Sequence, residues 1–502
     1  KIDKYIQSIE AELEELDYND PKDKRKIASR EQKISNIKAG IFTTKKEQEL
    51  IRPINLGSSV DLPALMYSEE GFHFEVIKNN ESGKPSTDEE TLTNLRLTVK
   101  KPDSPKAIFL DRLLELRGLE KMYKTYIEGW NEKVQDDDRL HGRFLIHGTT
   151  SGRLSSAEPN AQQIPKTSVD PNIKLQLKAP KGTLYIASDF SQAELRIMAH
   201  LSGDETYLNA FNSGQDPHLA IAATKYHIPY EEALKIYEDE NHPEHKIWKV
   251  RRKQAKQIAF GLIYGIGAKL LAVKLSDPKS GIIVTPEEAQ KEMDIFFGQH
   301  PKLKTFLKKQ EKFLRKNGHL VSLFGRKRRL PQIYSNDKGE EAYALRLALN
   351  FPCQSAASDM CLFGSILIYY LMRQGKLPST KSVCLVHDAN YQITKPENIN
   401  IWSIYEMWQI YRNPLTKPYF GFQIDDVTMD MEFVIGRSMA EELPFIPGYD
   451  YKKMLEPDFS VEEYMEEHKK YKHIPISEYK KRFNKQMKQY EKDFERTHGM
   501  ES

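Results

Sequence analysis

The chain has 502 residues, 39% hydrophobic and 29% charged, room for about three domains with cores of their own, which excludes a disordered or fibrous chain. Its 75 basic residues nearly balance 72 acidic ones, so any nucleic-acid surface has to come from local clustering of cations. Cys353, Cys361 and Cys384 are too few and too scattered for a disulfide framework or a zinc site, and they suit a reducing compartment.

Residues 1–50 are rich in Lys, Glu, Leu and Ile, with Pro21 the one proline, and predict a charged helical hairpin broken near 19–23. The chain opens on Lys1 with no signal-peptide pattern behind it, as a processed or trimmed product would. A polar loop over 78–90 ends in Ser86 or Thr87 as the expected helix cap, and 91–99 and 106–129 then read as helices. Residues 141–165, HGRFLIHGTTSGRLSSAEPNAQQIP, have the composition of an irregular segment. Arg153, Asn160 and Gln162 within it either belong to an ordinary loop or touch a phosphate or groove edge.

Residues 183–201, TLYIASDFSQAELRIMAHL, change period once, from the short apolar run of a buried strand to helical spacing. Asp189 stands at the change. Such an acid either caps the helix or meets a cation, a divalent metal being one. Ser191 and Glu194 fit the Ser-x-x-Glu spacing of a capping box. His218 and a polar insert, EDENHPEHK, follow; the insert is expected as a surface loop. In VRRKQAKQIAFGLIYG, residues 250–265, Arg252, Lys256, Phe260 and Tyr264 recur every fourth position and so drift only about 40° per step around a helix. That face is either a solvated basic turn leading into a core helix, or two cations and two aromatics offered to a triphosphate and a base.

GRKRRLP at 325–331 is a basic cluster that contacts phosphates or is simply solvated. Arg346, Asn350 and Gln354 repeat four apart in a long helical stretch over 341–372, which suggests a polar stripe along a groove. Its apolar part, 360–372, is interrupted by Gly364 and Ser365 and is shorter than a bilayer span, so no membrane segment is expected. SVCLVHDANYQIT at 382–394 reads as two short strands around a tight turn, with Asp388 a turn residue or a second metal ligand. MDMEFVIG at 429–436 gives one more strand, and 449–502 reads as a Lys-, Glu- and Tyr-rich helical tail. Two aspartates ending two core strands suit a shared pair of Mg²⁺ ions, as in-line phosphoryl transfer uses.

Taken together, TSGRLSSAEPN at 150–160, SDFSQAELR at 188–196, RRKQAKQIAFGLIYG at 251–265, RLALNFPCQ at 346–354 and VHD at 386–388 resemble the polymerase module of family A DNA polymerases, in that family's order and spacing. The resemblance covers roughly 50–445. It implies an α+β right-hand fold with an antiparallel-sheet palm, helical fingers and a helical thumb: thumb over 1–140, palm over 141–205 and 340–446, fingers over 206–339, and an extension without assigned role over 447–502. It further implies that Asp189, Asp388 and the backbone carbonyl of Phe190 hold two Mg²⁺ ions. Arg252, Lys256 and His218 would take the triphosphate, Lys256 also neutralising or protonating developing charge. Phe260 would pack on the incoming sugar and base, Tyr264 would mark the template entry, and Glu194 would block the 2′-carbon of a ribonucleotide. Arg153, Asn160, Gln162, Arg346, Asn350, Gln354 and His387 would contact primer end and template.

The expected substrates are primer-template DNA and deoxynucleoside triphosphates, in the cytoplasm of a bacterial or phage-infected cell, with an organelle left open. One departure stands out: the family usually has His-Asp-Glu at the third motif, and this chain has Ala389 after Asp388. No clustered carboxylate motif for a proofreading exonuclease occurs in 1–180, which leaves room for an exonuclease or processivity partner. Competing expectations are a single-subunit RNA polymerase, against which Glu194 argues, and a catalytically silent nucleic-acid-binding homologue, which Ala389 favours.

Overall fold

The computed structural model describes residues 2–41, 43–44, 47, 53–80, 82–165, 170–276, 283–412 and 416–460. Packing divides the chain into two compact units, Lys1–Leu119 and Glu120–Ser502.

In the first unit, α1 (Ile2–Glu14) and α2 (Lys24–Lys38) form the expected hairpin. They close on Ile6, Ile9 and Ile37, while Arg30 and Glu12 pair at 2.9 Å on the wet side. Helices α3 (Asp61–Tyr67), α4 (Glu89–Thr98) and α5 (Pro105–Met122) share a core of Leu62, Met66, Leu92, Leu95, Leu110 and Leu113. The cap of α4 is neither Ser86 nor Thr87. It is Asp88, whose carboxylate accepts from the Thr91 N–H at 2.7 Å, a place where the helix dipole favours a negative charge over a hydroxyl.

In the second unit the helical turns Tyr123–Glu128 and Gly129–Asn131 precede the short antiparallel pair β1 (Arg143–Leu145) and β2 (Ser155–Ala157). Its frame is a five-stranded sheet around β3 (Leu184–Phe190). Between β3 and the next strands of that sheet the chain makes a run of helices: α6 (Ala193–Ser202), α7 (Glu205–Asn212), α8 (Pro217–Lys225), α9 (Tyr230–Glu238), α10 (His245–Ile263), α11 (Ala268–Leu275), α12 (Pro286–Gln299) and α13 (Pro301–Asn317). A hairpin of β4 (His319–Val321) and β5 (Lys327–Arg329) then leads into α14 (Lys338–Arg373). The sheet is completed by β6 (Thr380–Val386), β7 (Ala389–Thr394), β8 (Met431–Gly436) and β9 (Glu442–Pro444), in the order β6-β7-β3-β8-β9 with every pair antiparallel. This mixture of helices with an antiparallel sheet is the α+β class expected from the sequence.

Leu184 and Ile186 of β3 are fully buried because both flanks of the strand are paired and helices cover one face. Phe190, at its end, packs edge-on against Tyr411 of α15 (Ile401–Arg412) with ring centres 5.7 Å apart. On the other face Tyr185 and Tyr391 meet edge to face beside Cys384 and Met439. Among the described residues α14 is the one helix long and apolar enough to cross a membrane by length and composition. Here it is a core helix: Ala348, Phe351, Cys353, Ala356, Met360 and Cys361 are buried, and Arg346, Asn350, Gln354 and Asp359 interrupt its apolar length.

Candidate active site

The two strand-end aspartates meet at one cavity. Its volume is about 510 Å³, and Asp189, Phe190, Glu194, Phe260, Tyr264 and Asp388 are among its walls. Asp189 is the sixth residue of β3, in register with Ala389 of β7 and Glu432 of β8. It caps no helix, because the chain continues as strand through Phe190. Asp388 occupies the turn between β6 and β7 after His387, whose φ of +55° makes that turn tight. The Cys361 thiol of α14 lies 3.5 Å from the Asp388 carbonyl oxygen and fixes the turn from below.

Asp189 keeps access to water through the cavity, but the protein packed around it partly desolvates its carboxylate and raises its pKa to about 7, with repulsion from Asp388 and then Glu432 adding to the rise. Acids that repel one another in this way fit a cation. Among the described residues no three His, Cys, Asp or Glu side chains cluster as a closed metal site. Asp189 and Asp388 line one open cavity together with Phe190, and hard divalent cations take oxygen ligands of that kind.

Glu194 corrects the sequence reading. The residue before α6 is Gln192, in left-handed backbone at φ +58° with no side-chain cap, so Ser191 lies too early for a capping box. Both carboxylate oxygens of Glu194 are taken from outside the helix. Arg153 Nη2 approaches one at 2.5 Å, and the Tyr264 hydroxyl donates to the other. The same Arg153 nitrogen lies 3.4 Å from Asp388, so one guanidinium ties Glu194 to the cavity's second aspartate. Burial first, and then Glu194, push the Tyr264 phenol well above its usual range.

Tyr264 ends α10, and its ring stacks with Phe260 at 6.1 Å and 17°. Lys256 Nζ sits 5.7 Å from the Phe260 ring centre, one turn back. A further turn back, Arg252 donates from Nε and Nη2 to Asp216 Oδ2 at 3.0 and 2.6 Å. Asp216 also caps α8, its Oδ1 accepting from the Leu219 N–H at 2.8 Å. His218 is buried beside Phe260 with neither ring nitrogen partnered. Desolvation chiefly, helped by Arg252 and Lys256 and opposed by Asp216, lowers its pKa to about 4, so it is neutral at physiological pH.

The loop residues are docked rather than loose. Gln162 Nε2 donates to the Leu385 carbonyl of β6 at 3.0 Å, and Asn160 Oδ1 accepts from the Gln162 N–H at 3.0 Å. Gln162 and His387 line the cavity. Arg346, Asn350 and Gln354 lie on α14 outside its walls, yet Arg346 backs directly onto the turn after Tyr264. A Cβ on Gly265, at φ +69°, would come 3.3 Å from Arg346 Cγ. Asn350 Oδ1 is buried without a partner. Sequence reasoning missed Asp216 and Glu432. The Asp-Pro pair at 216–217 is a helix-start signal and could have drawn attention to the first; the cross-strand place of the second has no local signal.

Residues 23–400 match the family described as DNA polymerase family A. The chain is 32% identical over 319 residues to the thermostable DNA polymerase I of Thermus aquaticus, covering 63% of this chain and 35% of that protein. It is also 32% identical over 336 residues to DNA polymerase I of Pseudomonas aeruginosa, covering 66% and 33%. Among solved structures, the POL domain of Pol1 from M. smegmatis, in complex with DNA primer-template and dNTP, superposes with a TM-score of 0.63 at 29% identity, over 78% of this chain and 62% of that one. The chain spans about a third of the length of the curated relatives it matches.

Proposed function

The chain belongs to DNA polymerase family A, and from that premise we propose that it is a template-directed DNA polymerase that adds deoxynucleotides to a primer 3′-hydroxyl. The observation that carries the reading is the convergence of Asp189 and Asp388 on one cavity with Glu194, Phe260 and Tyr264. The primer-template and dNTP bound by the similar M. smegmatis domain support DNA and nucleotide as substrates. In the proposed hand, 141–205 and 340–446 make the palm, 206–339 the fingers and 1–140 the thumb.

Asp189, Asp388 and the Phe190 carbonyl would hold two Mg²⁺ ions. When bound, such ions supply Lewis-acid stabilisation of the attacking oxygen and of the leaving pyrophosphate. The remaining work falls to side chains. Arg252 and Lys256, one helical turn apart, would clamp the triphosphate, and neutral His218 would donate one ring N–H to it. Lys256 would neutralise charge that develops on the leaving group. Phe260 would carry the base and sugar, with Tyr264 behind it where the templating base arrives. Glu194, held by Arg153 and the Tyr264 hydroxyl, would occupy the space that a 2′-hydroxyl needs.

Extension of a labelled primer on a DNA template, with Mg²⁺ and either all four deoxynucleotides or all four ribonucleotides, tests the reading. Templated, nucleotide-specific growth supports it. Binding of primer-template without extension would favour the silent homologue that Ala389 suggests, and extension confined to ribonucleotides would favour an RNA polymerase.

A further inference from the structure

Helix α13 concentrates charge that the site described above does not use. Six lysines and one arginine stand against a single acid, Glu311, over Pro301–Asn317, in a chain whose net charge is only +3. Three of these cations are engaged: Lys302 with Glu205, Lys304 over the Phe297 ring, and Arg315 with both Glu311 and Glu341. Lys308, Lys309, Lys312 and Lys316 are exposed, and none has an ion-pair partner among the described residues. Lys308, Lys312 and Lys316 follow one another at i,i+4, where like charges weaken a helix. A face needed only for solubility would gain from acids at those positions.

Lys309, Lys312, Phe313 and Lys316 fall at i, i+3, i+4 and i+7 and so share one stripe, away from the buried Leu303, Leu307 and Leu314 and with buried Phe306 at its edge. Phe313, 44% exposed, lies within the stripe. Its ring is set edge-on to that of His319, with centres 5.9 Å apart. His319 in turn pairs across the hairpin with Arg329, from the basic 325–331 cluster. Cations beside an exposed aromatic are what a single nucleic-acid strand requires, the cations for its phosphates and the ring for a base.

The helix that carries the stripe packs against α14. Leu314 of α13 and Leu320, Leu330 and Ile333 around the hairpin share one core with Ala344, Ala348 and Phe351 of α14. Arg346, on that same stretch of α14, backs onto the turn after Tyr264. We propose that this face of α13 binds single-stranded DNA, namely the unpaired template ahead of the active site. The identity of the strand rests on the polymerase reading; the affinity of the face for single-stranded DNA does not.

The test compares the wild-type chain with a variant carrying Lys308→Glu, Lys309→Glu, Lys312→Glu and Lys316→Glu. Anisotropy is read on primer-templates whose 5′ template overhang is one nucleotide or about fifteen. The wild type should prefer the long overhang by about tenfold at low salt, with a log–log salt slope steeper by about 3, roughly 0.7 for each of four cations. The variant should lose that preference, and Phe313→Ala should reduce it several-fold without changing the slope. Equal extension of the one-nucleotide overhang by both proteins shows that the fold and the polymerase site are intact, so failure of the face is distinguishable from failure of the polymerase reading. A long-overhang preference and slope that survive the four substitutions would overturn the proposal, and they are also the result expected if the face served an acidic protein partner.

Discussion

Glu432 stands directly across β8 from Asp189 on β3, while Ala389 stands across from it on the other flank, in β7. Directly opposed residues of an antiparallel ladder project to the same face, with Cβ atoms about 4.5–5.5 Å apart. Negative charge is therefore added beside Asp189 from the flank opposite to the one where the family's acid would sit. Glu432→Gln should raise the Mg²⁺ concentration that gives half-maximal extension several-fold, and Ala389→Glu in that background should restore it. Ala389→Glu alone adds like charge next to Asp189 and Asp388, and it should alter metal dependence without a large gain in rate. Metal titrations of single-turnover extension check this. A rise of several orders of magnitude from Ala389→Glu alone would show an impaired polymerase instead.

Asp216 does two things with one carboxylate: it caps α8 and it holds Arg252. Asp216→Ala should release the arginine side chain, which then has to be ordered again by each incoming triphosphate. The expected result is a KM for deoxynucleotide raised about tenfold, equivalent to about 1.4 kcal/mol, with kcat much less affected. Asp216→Asn, which keeps an oxygen for the Leu219 N–H, should restore the cap's contribution of about 1 kcal/mol to stability but not the KM. If the residue serves only as a cap, both variants will leave KM unchanged below their melting temperatures.

His218 predicts a pH dependence. Its folded pKa is depressed to about 4 from the ordinary 6.5, so the unfolded chain binds a proton that the folded chain refuses. The stability this contributes is fully present above pH 6.5 and is lost as pH falls from there toward 4. Wild type should lose on the order of 1–3 kcal/mol more than His218→Gln over that interval. Chemical denaturation at pH 7 and pH 5 measures the difference, and equal losses would show that the imidazole titrates normally.

Much of this was legible in the sequence wherever the signal was local and periodic. The four-residue spacing from Arg252 to Tyr264 became one face of α10 and its end, and the apolar runs before Asp189 and Asp388 became β3 and β6. Where local rules failed, a tertiary partner had taken the group: Glu194 fits a capping box on paper, but Arg153, 41 residues away, and Tyr264 claim its oxygens. Asp216 with Arg252 and Glu432 with Asp189 were illegible for a related reason, since packing and strand register set those pairs and spacing does not.

The proposed role of Glu194 is tested by sugar choice. With no capping role in the structure, Glu194→Ala should not show a cap's signature of lost stability with unchanged sugar preference. It should admit ribonucleotides much more readily, because the clash that acts on them alone is gone. Tyr264→Phe, which removes one of the two anchors, should shift the same ratio in the same direction but less. Single-turnover efficiencies for a deoxynucleotide and its ribo counterpart give the ratio; an unchanged ratio in Glu194→Ala would remove Glu194 from sugar selection.

The central claim is that Asp189 and Asp388 form the chemical centre, and the most direct measurement is single-turnover primer extension by Asp189→Asn and Asp388→Asn beside a primer-template binding assay of the same proteins. Each substitution keeps the side chain's shape and removes the charge. The account predicts a rate at least about 10³-fold lower for each, about 4 kcal/mol or more in the barrier, with DNA affinity within a few-fold of wild type. Extension by either variant at near the wild-type rate would contradict it.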